Sequence, residues 1–458
     1  NQKLYSLIVI KALNLCLEYG NLAESIPAYS NYGILLCSIW GEYQTGYDFG
    51  QLALKISEKY RNQYEKCKAC FLHVTFQIGW IKHIKLTNDI AKIGFKTGVE
   101  SGNIQFSGDI LACQLFNILY EGVSLKEALN EANNSLVFVK KNTNKFALNT
   151  LLAAKLCLTN LNGETKQLNN FDSPELSEAE YLQNCKQQKS YMSLFYYYNF
   201  KSFILFLYNK PVEALDTLIE AEKYKEFSIG TIAIADHNFY QSLILTILYP
   251  VATFAEQKQY WHQLECNQKQ IRVWAENCEA NFLHKYLLIE AEIARISGNK
   301  LEAMELYDLA IASAKAYGFI QNEALANELA AKLWLGMNKE DFAQIYLRKA
   351  YNGYQKWDAK AKVADLEHQY YFCFNPKLAQ PTNSQTTINQ HSITTNFTES
   401  LDIHTVLKVS QTISNEILLA KLIDEFMEIV IENAGAESGY LIFVTNGKLI
   451  IEAVINVN

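Results

Sequence analysis

From Asn1 to about Phe374 the apolar positions recur at helical spacing, and the chain reads as helix after helix. The best-defined stretch is Leu287–Tyr317, LLIEAEIARISGNKLEAMELYDLAIASAKAY. Gly298 ends its first helix by supplying a positive φ. Ala303, Tyr307 and Ala310 follow at fixed offsets. Small residues at Ala291, Ala303 and Ala310 let two antiparallel helices approach closely, and Tyr307 fills the space toward the next pair. Weaker copies of these offsets occur at Asn209, Ala214 and Ala221, and at Gly41, Gly46 and Ala53. Ala343, Leu347 and Ala350 give the second half of a further pair after Gly336.

The pattern changes at residues 376–398. Two prolines, many Thr, Asn and Gln and a single formal charge mark a linker, with a packed surface loop as the alternative. Residues 399–416 return to helical spacing as a connecting helix. Ile403, Val406, Ser410, Ile413 and Ile417 step by three and four, an a/d seam of about two heptads. Two readings stay open: an amphipathic helix lying on its own domain, or a parallel signalling helix that joins two copies into a homodimer. In residues 417–458, Leu419, Leu422, Ile423, Phe426, Ile429 and Val430 share one helical face, and Gly435 stops that helix. Tyr440–Val444 and Lys448–Ile455 read as strands joined at Asn446-Gly447, a type I′ hairpin signal. A lone hairpin is not stable in water, so the sequence reads as ending inside a domain, and its start without Met points the same way.

Composition narrows the function class. Hydrophobic residues make up 49% and charged residues 19%, enough for a sizeable core; six prolines suit long helices. The net charge is −7 and Lys and Arg are dispersed, which argues against nucleic acid as a partner. Lys201–Tyr208 and Gln241–Pro250 are too short to span a membrane and read as buried helices. Ten irregularly spaced cysteines fit reduced thiols in a cytoplasmic protein.

Signals for chemistry are sparse. The chain has no phosphate-binding loop, no G-x-G-x-x-G and no kinase His-Arg-Asp or Asp-Phe-Gly triplet. His404 lacks the Glu and Pro that accompany a phosphoacceptor histidine; Thr405 and Val409 stand there instead. Cys67, Cys70 and His73, with His83 beyond, are the candidate metal ligands, but no second matched pair closes a zinc tetrahedron. Cys67, Cys70 and Val74 equally suit the inner face of one helix. The aromatic run Tyr191–Tyr208 reads as filling between helices, and Glu323 and Glu328 as a solvated helical face. No catalytic residue and no cofactor site is expected in this chain.

Leu287–Tyr317 resembles a tetratricopeptide repeat. The 40 residues from Ala303 to Ala343 exceed the roughly 34 of a regular unit, so the expected fold is mainly α: a degenerate tetratricopeptide-like solenoid over residues 1–375. The run LDIHTVLKVSQTISNEILLAKLIDEFMEIVIENAGAESGYLIF, Leu401–Phe443, resembles the junction where a helical repeat region enters a GAF sensor domain in large bacterial signalling kinases. Ala28–Cys37 and Gly41–Leu54 resemble the helical region that follows the ATPase in the same family. The resemblance implies a parent protein with a Ser/Thr kinase, an AAA-type ATPase, helical repeats, GAF and a histidine kinase. ATP and Mg are then expected only on domains outside this sequence, and the array's partners are those domains or other proteins. The chain itself is expected to be a non-catalytic scaffold and signal relay. A free-standing helical interaction protein and an unrecognised enzyme are the alternatives.

Overall fold

The computed structural model describes residues 2–374 except Pro174, and the backbone of residues 438–445 and 448–456. The chain divides into two units, Asn1–Gln380 and Pro381–Asn458. The linker, the seam Ile403–Ile417 and the helix expected over Leu419–Val430 lie outside the described residues.

In the first unit the described residues are helical and mainly α describes it. The helices are α1 (Gln2–Tyr19), α2 (Ile26–Leu35), α3 (Tyr43–Lys59), α4 (Gln63–Phe76), α5 (Thr87–Ser101) and α6 (Ile104–Glu121). They continue with α7 (Leu125–Lys141), α8 (Lys145–Leu161), α9 (Glu178–Gln187), α10 (Tyr191–Leu207), α11 (Pro211–Glu222), α12 (Ala233–Leu248) and α13 (Phe254–Asn277). The last are α14 (Glu279–Ile296), α15 (Lys300–Ala316), α16 (Ile320–Gly336), α17 (Glu340–Lys356), α18 (Lys360–Gln369) and the single turn α19 (Tyr371–Phe374).

Two rows of helices emerge from the packing. Even-numbered helices from α2 to α16 touch one another in succession and form an inner row; α3, α5, α7, α11, α13, α15 and α17 lie outside it. Outer helices are amphipathic at one spacing. Ala303, Tyr307, Ala310 and Ala314 are buried, and so are Ala343, Leu347, Ala350 and Tyr354 forty residues on. Ala128, Ala132, Ser135 and Val139 repeat the same steps on α7. Inner helices are buried nearly all round, as their continuous apolar sequence requires; α10 leaves only Tyr191, Met192 and Lys201 partly open.

Stops in the left-handed region set the period. Positive φ occurs at Gly298, Gly318, Asn338 and Asp358, twenty residues apart, so a helix pair takes forty residues. The stop before Ala343 is thus Asn338, not Gly336, which lies inside α16. Asn reaches this conformation at little cost.

The rows wind until distant segments meet. The Trp80 indole donates to the Gly230 carbonyl, and Asn281 bonds to Ile84, Gly79 and Lys82. His83 donates to Tyr317 O, Gln321 to Tyr120 O, and Leu125 N to Trp357 O. These partners lie 150 to 234 residues apart in sequence. α6, α10, α12, α14 and α16 converge on a cavity of about 10 Å³, roughly one water molecule, so the axis is filled.

In the second unit, Ser438–Thr445 pairs antiparallel with Lys448–Asn456. The register slips after Leu441, leaving Glu452 as a bulge.

Candidate functional site

The residues that suggested a metal diverge. Cys67, Cys70 and His73 lie on α4 and all are buried. A Cβ on Gly98 would come within 2.5 Å of Cys67 Sγ, and one on Gly94 within 2.5 Å of Cys70 Cβ, so both thiols face α5. His73 instead faces α3, where a Cβ on Gly50 would overlap its ring. The Gln77 amide donates to Ser30 O at 2.9 Å, which turns its Oε1 toward His73 Nδ1 at 2.7 Å. Nδ1–H therefore donates there, and Nε2 accepts from Gln51 at 2.8 Å. Both ring nitrogens are engaged. Burial takes His73 down to about 4 and pushes the thiols of Cys67 and Cys70 up to about 11 and about 12. His83 is a tether between segments. Among the described residues no three His, Cys, Asp or Glu side chains gather to hold a metal ion.

Ala291, Ala303 and Ala310 have no exposure, Tyr307 has almost none, and Gly298 takes φ +85° with open space around it. Tyr307 does more than fill space: its hydroxyl donates to Glu292 on α14, which also binds Arg295 and Thr246.

Glu328 overturns the reading of a solvated face. It is 1% exposed on α16, a member of the inner row, and its neighbours are Lys362, Lys332 and Tyr354. Burial alone would raise its carboxyl. The two ammonium groups and the hydrogen bonds from Lys362 and Tyr354 outweigh this and hold it at about 2. Lys285 on α14 likewise pairs with Asp236 on α12, and burial takes its ammonium down to about 7. These pairs were not legible in the sequence because Lys362 lies 34 residues from Glu328 and Asp236 lies 49 residues from Lys285.

Among the described residues a mixed cleft of about 520 Å³ opens where the α2–α3 junction meets α12 and α13. A π-turn over Leu36–Trp40, closed by Gly41 at φ +71°, pushes Ile39 and Trp40 outward to half exposure. Tyr43, Trp80 and Trp274 form the floor, with Asn238, Asn267, Gln270 and Lys225 around it. The floor is fixed, since the Trp274 indole donates to Tyr43 Oη at 2.8 Å. The walls are aromatic and carry amide groups, and Cys37 and the exposed Cys266 are among the lining residues. The chain matches no protein-family model and no curated protein. No described helix is long and apolar enough to cross a membrane.

Proposed function

We propose that this chain is a non-catalytic scaffold and signal-relay segment of a multidomain signalling kinase, placed between an ATPase and a GAF sensor. The carrying observation is the closure of the helical array on itself through bonds between segments 150 to 234 residues apart. A body tied in this way transmits a displacement without bending, which is what a relay between domains needs. The resemblance at Leu401–Phe443 supplies the context, with the hairpin of residues 438–456 as the opening of the GAF sheet. In this reading the array is a degenerate tetratricopeptide-like solenoid whose pairs are longer than the usual unit by about six residues.

The purified chain, given labelled ATP and Mg, is expected neither to hydrolyse it nor to retain label. Phosphate retained by the chain and lost on His404→Ala would overturn the reading. The cleft beside Trp40 favours a second reading, a free-standing interaction protein, in which Trp40→Ala removes partner binding while leaving the fold intact.

A further inference from the structure

Five inner helices meet around the cavity at the axis, and its volume of about 10 Å³ gives room for one water molecule. Each of the five contributes to its polar lining: Tyr120 on α6, Asn199 on α10, Asp236 on α12, Lys285 on α14, and Gln321 and Asn322 on α16. All six side chains belong to residues more than nine-tenths buried. Two of them carry polar atoms with no protein partner, the Tyr120 hydroxyl and Gln321 Oε1. The Gln321 amide donates to Tyr120 O at 2.8 Å, which fixes Oε1 as its unpartnered end. The Lys285 ammonium has three N–H groups; one goes to Asp236 Oδ1, and the Phe239 ring lies 5.2 Å away. Native interiors leave few buried polar atoms unpaired, because each one costs free energy.

We propose that a single ordered water occupies this cavity and joins α6, α12, α14 and α16 at the axis. It accepts from the Tyr120 hydroxyl and the Lys285 ammonium, and it donates to Gln321 Oε1 and to Asp236. Buried waters make two to four such bonds. The lining selects this occupant. Nothing larger than water fits the volume. Among small ions, the Lys285 ammonium opposes a cation and the Asp236 carboxylate opposes an anion, and buried charges are little screened by solvent. A water presents protons to one group and lone pairs to the other. A buried pair such as Asp236 and Lys285 holds well only when its remaining donors and acceptors are satisfied, and the bridging molecule supplies those bonds. Water-mediated bonds are nearly as favourable as direct ones, so the bridge adds to the direct bonds that already tie distant segments together.

A crystal structure of the chain, at a resolution that shows ordered water, is expected to place one water within hydrogen-bond reach of Tyr120 Oη. Magnetic relaxation dispersion of the same protein in solution should count a long-lived internal water that Tyr120→Phe removes or frees to exchange faster. The sign of the stability change is a separate check. In a dry cavity, Tyr120→Phe deletes an unpaired buried hydroxyl and raises the thermal midpoint. With the water in place, the same substitution strips it of a partner and lowers the midpoint. A cavity without density, or one holding an anomalously scattering ion, would overturn the proposal. A thermal midpoint unchanged or raised by Tyr120→Phe would overturn it too.

Discussion

Lys362→Met probes how the array is tied shut. Lys362 has no solvent exposure, and its Nζ meets Glu328 Oε1 at 3.0 Å and Asp365 Oδ2 at 3.2 Å. It also donates to the carbonyl of Leu207, the last residue of α10 and 155 positions back in the chain. Methionine keeps the stem and removes the charge. Glu328 would keep Tyr354 and Lys332, whose Nζ lies 3.1 Å away with its side chain 28% exposed. Holding a buried carboxyl at about 2 rather than 4.5 corresponds to about 3 kcal/mol. Breaking a buried pair from one side costs roughly 3–5 kcal/mol by the same physics. The sign is that of a depressed acid: the stabilisation is complete above about pH 4.5 and is lost as the pH falls toward 2. Urea unfolding at pH 7 should show Lys362→Met less stable by about 3 kcal/mol. That deficit should shrink below about pH 5 as Glu328 takes up a proton. Amides of α18 should exchange faster, and Lys362→Met with Glu328→Gln should recover most of the loss. A loss under about 1 kcal/mol, or a double variant no better than the single, would refute the assignment.

Gly46 and Gly298 separate steric from backbone demands. A Cβ on Gly46 would overlap Cys37 Sγ and come within 2.6 Å of Gly33 O, so Gly46→Ala should cost roughly 1–3 kcal/mol. Gly298 needs only the left-handed φ that Asn209 and Asn338 also hold, so Gly298→Asn should leave the thermal midpoint nearly unchanged. Equal losses at the two sites would contradict this contrast. In thiol titration of the native chain, exposed Cys266 should react first and Cys16 more slowly, with buried Cys67, Cys70 and Cys113 silent until unfolding; prompt reaction of more than two thiols would show that α4 is not packed as described.

Much of the array was written locally. Helical spacing marked α15 and α17, and Gly298 is a stop because glycine alone among the common residues enters the left-handed region freely. The same signal fails where the stop is not glycine. Arg61, Thr143 and Lys189 hold positive φ that no propensity announces. Gly336 drew attention two residues ahead of the true stop at Asn338. The polar interior was illegible for a different reason. Glu328 followed by Lys332 looks like a solvated helical pair, and only a lysine 34 residues on shows it to be buried. Cys67, Cys70 and His73 share a helix, but at 100° per residue His73 lies about 60° round from Cys70 and about 120° from Cys67, enough to turn it from α5 toward α3.

Closure changes what such an array can transmit. In an open solenoid each repeat touches only its neighbours, and the whole flexes as a spring. Here, bending between α7 and α8 would strain Leu125 N on Trp357 O and the Lys362 bond to Leu207 O, far along the chain. Each buried bond lost leaves a donor or acceptor unsatisfied, at about 1–3 kcal/mol. Several would break together, so the array either moves as one body or opens in a cooperative step. A relay built on it would behave as a two-state element rather than a graded one. Partners would also have to approach from outside, because the concave side that open arrays use for binding is filled by α6, α10, α12, α14 and α16. The cleft beside Trp40 is one outward surface of the required apolar character.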